Sequence, residues 1–380
     1  MSFVFINCTA ETFTPTRSGG ICSWVWEHCR SAQKDGVEPW VITKTSPAEP
    51  YPWPKTILIP YPHIPQNRVL SKLYYVQRDL TGWGHVRQKA YNLRVAAAIQ
   101  KNNLQHLPLF LNNDIELAVF LRRRFPKATL FHLAHNRNPC RPKFRQQFKR
   151  AVDLAAAVSD DCGRWNQEYF GLETIQTLYG GVDTEKYHPA AQPPEGPPLI
   201  NFVGRTDHSK GTDLLLLAAN MLSKRTKDFR LQILGASHYG YTVWDDFQQQ
   251  IQDMSEELEA GGISVYRPGF VDRYALPEAL RRAHIHVVPS RWDEPFGLVT
   301  PEGMATGLAT VASRTGGTPE IIGDAGLLFE RGDAGGLAAH LERLVCDAPL
   351  RREYGRLARE RAAEFTWDRA WKRLRPLVGV

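Results

Sequence analysis

The sequence predicts an α/β protein made of two successive doubly wound domains, each a parallel sheet covered by helices on both faces. Three observations predict it. Short, β-rich apolar runs alternate with stretches of helical spacing along the whole chain, the pattern of βαβ units. The alternation pauses once, at AAQPPEGPP (190–198), where prolines and a glycine can continue neither a helix nor a central strand, and restarts at LINFVGR. At 380 residues the chain is too long for one compact core and sufficient for two. The expected domains are 1–190, rejoined by 366–380, and 191–365.

The elements follow in order. Phe3–Asn7 is the first strand, because its apolar residues run together as in a strand buried on both faces. Gly20–Gln33 has helical spacing, and Pro39–Thr43 is the next strand. Residues 50–67 are proline-rich and read as a long shaped loop over the first domain's rim. Helix His85–Lys101, strand Leu107–Leu111, helix Ile115–Phe125, strand Ala128–Leu133, strand Leu154–Ser159 and helix Cys162–Phe170 complete the first half. In the second half Leu199–Val203, Arg230–Leu234, Ile263–Tyr266, His284–Pro289 and Ala309–Ser313 read as strands separated by helices. The closing TWDRAWKRLRPLVGV is amphipathic and is expected to cross back to the first domain.

Composition excludes several classes. With 43% hydrophobic and 23% charged residues the chain is neither disordered nor collagen-like. Its densest apolar stretch, Leu214–Ala219, falls far short of the ~20 residues of a membrane-spanning helix. The opening MSFVFINCTA has no basic segment ahead of its apolar residues, so it reads as a strand and not as a signal peptide. Six scattered cysteines without a CxxC pair suggest reduced thiols and no zinc site, hence a cytoplasmic protein. Charge is uneven: residues 1–190 hold 24 basic and 15 acidic residues, a balance of +9, while the remainder balances at −2. The first half is therefore suited to an acidic partner, whether phosphate, nucleic acid or an anionic membrane surface.

Open α/β sheets bind ligands where strand ends lead into helix amino termini, so the chemistry is expected in those loops. After the first strand, Gly19 and Gly20 bare the backbone at a helix start, suiting an anion or simply a tight turn. After the restart, Gly204-Arg205-Thr206-Asp207-His208-Ser209-Lys210-Gly211 sets two cations five apart at a strand end, where both can face one phosphate. Neither GxxxxGK[ST] nor GxGxxG is present there. The richest stretch runs from Pro289 to Gly303: Glu294 lies in a loop after an apolar strand, and Glu302 follows eight residues later near a helix start. Two carboxylates on one connection can accept hydrogen bonds from several sugar hydroxyls. Each alone would read as a cap or a solvated charge. Arg314-Thr315-Gly316-Gly317 adds a further glycine turn after the next strand.

These residues resemble glycosyltransferase family 4, the retaining GT-B transferases. Glu294 and Glu302 match its E-x7-E pattern with PFGL after the first; Gly204, Arg205, Lys210 and Gly211 match its GR…KG element. SRTGGTPEII, GLLF, FTWDRAW, the SGG at 18–20, HLAHN, AVDLAAAVSD and GVDTEKYHP also fit. Gly180 stands where an asparagine is common before GVD, and the stretch 50–85 aligns to nothing.

The resemblance implies a GT-B fold of two Rossmann-like domains facing a cleft, and transfer of a sugar from a nucleoside-diphosphate sugar to a hydroxyl acceptor with retention. It implies that Arg205 and Lys210 neutralise the donor diphosphate, helped by amides at Gly19, Gly20, Gly297 and Leu298 beside Phe296. Glu302 would bind the ribose and Glu294 the donor sugar, His135 would sit against the transferred sugar, and the loop holding Arg267 and Gly269 would meet the base. No cofactor or metal is expected, because Arg205 and Lys210 fill the role of a divalent ion. Asp160 and Asp161 read as helix-start acids and not as metal ligands. The stretch RNPCRPKFRQQFKR (137–150) holds six basic residues and no acid; if helical, Arg141, Arg145 and Lys149 form one stripe beside Phe144 and Phe148. That stripe is either solvated or directed at an anionic acceptor, a phosphorylated glycan or a lipid-linked one at the inner face of a membrane. Rival readings are an epimerase or sugar phosphorylase on the same fold and a basic nucleic-acid module; for the last no recognised motif is present, and no nucleic acid is expected as a partner.

Overall fold

The computed structural model describes residues 2–15, 18–61, 86–140, 142–192, 194–237 and 243–379. The chain divides into two compact units, Met1–Tyr179 with Ala370–Val380, and Gly180–Arg369. No helix among the described residues is long and apolar enough to cross a membrane.

The first unit is a parallel sheet of β1 (Ser2–Ile6), β2 (Glu38–Lys44), β3 (Lys55–Ile59), β4 (Leu109–Asn112), β5 (Leu130–Ala134), β6 (Leu154–Ala157) and β7 (Gln176–Thr177), in the order β3-β2-β1-β4-β5-β6-β7. Its helices are α1 (Gly20–Lys34), α2 (Val86–Lys101), α3 (Ile115–Arg124), α4 (Pro142–Ala151) and α5 (Asp160–Phe170). The central strands are buried along their length, as both-face coverage demands: Phe3–Ile6, Leu109–Asn112 and Leu130–Ala134 are all buried. Asp160 and Asp161 fall in the first turn of α5 behind the Ser159 cap, whose hydroxyl accepts from the Cys162 amide at 3.2 Å.

One expectation is corrected here. Lys55–Ile59, within the stretch read as a loop, is strand β3, paired in parallel with β2 from Trp40↔Lys55 to Lys44↔Ile59. Its prolines lie outside the strand and it sits at the sheet edge, where few pairing groups are needed, so a short TILI run suffices. The rest of that stretch, from 62 to 85, lies outside the described residues.

The second unit repeats the plan. Its strands β8 (Leu199–Val203), β9 (Arg230–Leu234), β10 (Ser264–Gly269), β11 (Ile285–Val288), β12 (Ala309–Ser313) and β13 (Leu327–Phe329) form a parallel sheet ordered β10-β9-β8-β11-β12-β13. Helices α6 (Thr212–Ser223), α7 (Asp246–Ala260), α8 (Leu276–Arg281), α9 (Val299–Ala305), α10 (Thr318–Ile322), α11 (Ala334–Cys346) and α12 (Ala348–Ala362) cover it. Residues 180–190 belong with this unit: Val182 bridges Thr366, and Arg359 donates to the Thr184 and Tyr187 carbonyls.

The last helix, α13 (Trp367–Val378), begins in the second unit and ends in the first. There the Trp371 indole donates to Asp35 at 2.7 Å and its ring stacks on Phe3 with centroids 6.0 Å apart. This is the return that the amphipathic tail predicts.

In both sheets the strand order reverses direction beside the first strand, β1 against β4 and β8 against β11. That reversal splays the following loops apart and leaves a crevice at the carboxyl ends. Each unit therefore has one pair of loops at its own crevice, after β1 and β4 in the first and after β8 and β11 in the second.

Candidate active site

In the second unit the loops after β8 and β11 meet. Asp207 caps the 3-10 turn His208–Lys210 by accepting from the Lys210 amide at 3.1 Å, and Arg205 ion-pairs with Asp207 at 3.1 Å. This fixes the backbone of Lys210, whose ammonium ion-pairs with the Glu294 carboxylate from the loop after β11. Glu294 is 5% exposed and accepts a second hydrogen bond from Ser290 at 2.6 Å. Burial alone would raise the Glu294 pKa. The charge of Lys210, with hydrogen bonds from Lys210, Ser290 and Trp292, outweighs burial and holds it below the ordinary carboxylate value. A buried carboxylate kept ionised in this way is ready to accept hydrogen bonds from hydroxyl groups.

Glu302 lies in the first turn of α9 and is buried. Helix α9 packs tightly on the sheet: a Cβ at Gly303 would fall 2.3 Å from the His286 ring. His286 is fully buried and burial pushes its pKa down to about 4, so a neutral imidazole supports the helix. Phe296 is buried as well, and a Cβ on Gly180 would fall 2.8 Å from its ring. The expected group Gly204, Arg205, Lys210, Glu294, Phe296, Gly297, Leu298 and Glu302 thus occupies the connections after β8 and β11.

Arg267 and Gly269 lie on β10. The Arg267 guanidinium turns toward α7, donating to the Gln252 side chain at 2.9 Å and to Ser255 at 3.3 Å, and burial lowers its pKa. It lines a polar cavity of about 490 Å³ with Thr206, Gly235, Trp244 and Gln248. A larger cavity, about 760 Å³, opens at the opposite ends of β8, β9 and β10. Its arginines are already engaged: Arg230 with the Glu195 and Pro197 carbonyls, Arg281 with Glu278 at 2.8 Å and Arg282 with Glu278 at 3.7 Å. Size does not locate the chemistry in this unit.

In the first unit Gly19 caps α1 and Gly20 begins it. The start of this helix already holds a carboxylate. Glu11 accepts from the Cys22 amide at 3.0 Å, and a Cβ at Gly19 would fall 2.3 Å from the Glu11 carboxyl carbon. Burial raises the Glu11 pKa although the Cys22 and Ile21 amides lower it. Gly20 has open space beside it. Sequence reasoning missed Glu11; an isolated acid in the loop before a Gly-Gly helix start was the available signal.

His135 follows β5 and is buried, its Nε2 2.8 Å from the Asn112 side-chain oxygen, which marks Nε2 as the donor. Burial first, then His132 and His28, pushes its pKa down to about 3, so the ring is neutral. On α4, Phe144 and Phe148 are buried while Lys149 is exposed. Arg145 stacks over the Tyr169 ring at 4.9 Å and donates to the Tyr169 carbonyl at 3.2 Å. Arg141 lies outside the described residues. The structure thus brings Gly204, Arg205, Lys210, Glu294, Phe296, Gly297, Leu298 and Glu302 together around β8 and β11, leaves Arg267 and Gly269 on β10, and places Gly19 and Gly20 at the start of α1, His135 after β5, and Arg145 and Lys149 on α4.

Residues 183–361 match the protein family described as Glycosyl transferases group 1. The chain is similar to a phosphatidyl-myo-inositol mannosyltransferase of Mycolicibacterium smegmatis, 33% identical over 56% of this chain and 53% of that protein. It spans about half the length of that relative and of the next, a D-inositol 3-phosphate glycosyltransferase of Nocardiopsis dassonvillei. Among solved structures it superposes on a sucrose-phosphate synthase from Thermosynechococcus elongatus with a TM-score of 0.78 at 20% identity, covering 99% of this chain and 98% of the other. Two doubly wound sheets with a returning final helix, the E-x7-E and GR…KG residues gathered on the second, and these likenesses agree: residues 183–361 of this chain match the glycosyl transferases group 1 family.

Proposed function

We propose that the protein is a retaining glycosyltransferase that moves a sugar from a nucleoside-diphosphate sugar to an acceptor hydroxyl, giving an α-glycoside. The observation that carries this reading is the Lys210–Glu294 pair: a cation and a buried ionised carboxylate from the two loops that flank the reversal of the second sheet. A nucleotide donor also fits a likeness in fold to an Anabaena protein solved in complex with UDP, TM-score 0.73 at 15% identity.

In the reaction the bond from the anomeric carbon to the diphosphate oxygen breaks and a bond to the acceptor oxygen forms on the same face. The departing phosphate oxygen takes the acceptor proton, so no protein nucleophile is required. Negative charge grows on the leaving diphosphate, and Arg205 and Lys210 are the fixed cations that would meet it. Glu302 would hold the ribose, and Glu294 the hydroxyls of the sugar. In the first unit the same reading gives Gly19 and Gly20 a backbone contact to the diphosphate, and His135 a contact to the transferred sugar. The two cations make a divalent metal unnecessary. The basic first half suits an acceptor that is anionic, free or lipid-linked, met at the inner face of a membrane by a cytoplasmic enzyme.

The test is thermal unfolding across a panel of nucleoside diphosphates and their sugars, followed by product analysis with excess chelator. A donor at a hundred times its Kd should add about 2.7 kcal/mol of stability. No stabilisation by any member, or turnover that disappears in chelator and returns with magnesium, would overturn the reading or its metal-free chemistry respectively.

A further inference from the structure

Asn7 after β1, Asn112 at the end of β4 and His135 after β5 form one buried line of hydrogen bonds that ends on Cys22 of α1. The Asn112 side-chain amide donates to the Ile6 carbonyl at 3.4 Å and to the Asn7 side-chain oxygen at 3.2 Å. Asn7 donates in turn to the Cys22 Sγ at 3.6 Å. Asn7, Asn112 and Cys22 are fully buried. A backbone carbonyl can only accept, so the Asn112 NH2 faces Ile6 and the Asn112 oxygen faces His135 Nε2, 2.8 Å away. That oxygen also can only accept, so Nε2 carries the ring proton and Nδ1 carries none. The next residue holds the main chain: the His135 amide donates to the Asn113 side chain at 2.7 Å. Asn113 has φ +55°, a left-handed conformation that asparagine tolerates better than most residues. The His135 ring meets the Trp24 ring edge-to-face, with centroids 5.2 Å apart.

We propose that Asn112 is a positioning residue for sugar transfer: it holds His135 as one neutral tautomer, so that the ring meets a hydroxyl of the transferred sugar as an acceptor through Nδ1. This inference rests on the transferase reading, which sets His135 against that sugar.

The tautomer matters because a neutral imidazole has one donor and one acceptor nitrogen, and fixing one fixes the other. Positive charge grows on the sugar in the transition state. An acceptor nitrogen suits that charge, whereas an imidazolium would oppose it. The titratable groups acting on His135 are His132 of β5 and His28 of α1, both buried and both neutral at pH 7. A strand end that needed only packing could exchange Asn7 and Asn112 for apolar side chains at little cost.

The experiment compares wild-type protein with Asn112→Ala, His135→Gln and the double variant. Long-range 1H–15N correlation spectra of histidine-labelled protein read the tautomer, with His135→Gln assigning the ring. Calorimetry with UDP and GDP reads diphosphate affinity, and kcat and KM are measured for the donor, with melting temperatures as folding controls. Wild-type His135 should show a protonated Nε2 and a bare Nδ1 between roughly pH 5 and 8. In Asn112→Ala the two tautomers should mix, and kcat should fall roughly three- to tenfold, the worth of one neutral hydrogen bond. Its diphosphate affinity should stay within about twofold of wild type, because no phosphate contact is assigned to Asn112. The double variant should be no slower than His135→Gln, because Asn112 acts through that ring. A double variant slowed by the product of the two single effects, or an Asn112→Ala variant with the wild-type tautomer or the wild-type kcat, overturns the assignment of Asn112 alone. The wild-type spectrum tests it whether or not the variants fold: a His135 protonated on Nδ1 overturns it. Wild-type protein that binds neither diphosphate overturns the transferase reading and this assignment with it.

Discussion

Gly316 lies so close to Glu294 that a Cβ at residue 316 would fall 2.3 Å from the Glu294 carbonyl oxygen and 2.7 Å from its amide nitrogen. The next residue, Gly317, donates its amide to that carbonyl at 2.8 Å. The turn after β12 thus braces the loop after β11 from the main-chain side, while Lys210 and Ser290 hold the carboxylate. Gly316 has φ +51°, a left-handed conformation that costs a side-chain-bearing residue ~1–2 kcal/mol before any collision is counted. Backbone atoms cannot give way as a flexible side chain can. Gly316→Ala should therefore lower the melting temperature by several degrees and reduce kcat/KM for the donor more than tenfold. Wild-type kinetics in a folded variant would show that Glu294 does not depend on this brace.

Glu294 and Glu302 should fail differently. Glu302 is assigned to the ribose, a contact present in both the bound donor and the transition state; Glu294 is assigned to the sugar whose charge changes. Glu302→Ala should raise KM for the donor, and Glu294→Ala should chiefly lower kcat. Each loses hydrogen bonds to a charged group, on the order of 1.5–3 kcal/mol. Steady-state kinetics at varied donor concentration separate the two. Equal effects on kcat and KM in both variants would dissolve the division of labour.

His132 makes a cleaner case for pH. It is buried on β5, its Nδ1 has no partner among the described residues, and its ring meets Phe148 edge-on at 4.8 Å. Burial pushes its pKa down to about 3, against an ordinary value of 6.5. Below pH 6.5 the unfolded chain binds a proton that the folded chain refuses, so stability falls as pH drops from 6.5 towards 3. His132→Leu should change little at pH 7. At pH 4.5 it should be more stable than wild type by on the order of 2 kcal/mol. Denaturant unfolding at the two pH values measures this, and equal differences at both would mean that His132 is not charged on unfolding.

Much of this was legible in the sequence because period and spacing are local. The buried strands announced themselves as apolar runs, and Gly204–Gly211 and Glu294–Glu302 lie within single strand-to-helix connections whose place at the carboxyl ends of strands follows from alternation. What could not be read was whatever depends on two distant segments meeting. Nothing local says that Lys210 pairs with Glu294 across 84 positions, or that Glu11 fills the start of α1 beside Gly19. Gly180 stands where an asparagine is common, and nothing local says that a Cβ there would fall 2.8 Å from the Phe296 ring. Strand β3 was missed because prolines on both sides masked a run of only five residues.

The basic helix α4 carries the last prediction. Phe144 and Phe148 are buried in the first unit's core, so the helix is held by its apolar face whatever its charges do. Lys149 is exposed, whereas the Arg145 guanidinium is stacked on Tyr169, which costs it freedom to follow a ligand. If this helix meets an anionic acceptor, Arg141, Arg145 and Lys149 replaced together by glutamine should raise KM for the acceptor and flatten its dependence on salt, since each exposed cation beside an anionic surface adds ~1 kcal/mol. Donor hydrolysis should persist, because no donor contact is assigned to α4. Arg145→Lys serves as the control: it keeps the charge but loses the planar stacking on Tyr169, so an effect of packing would appear there and an effect of charge would not. The measurement is turnover on the acceptor at low and high ionic strength. Acceptor KM unchanged at both would return these residues to the solvated surface.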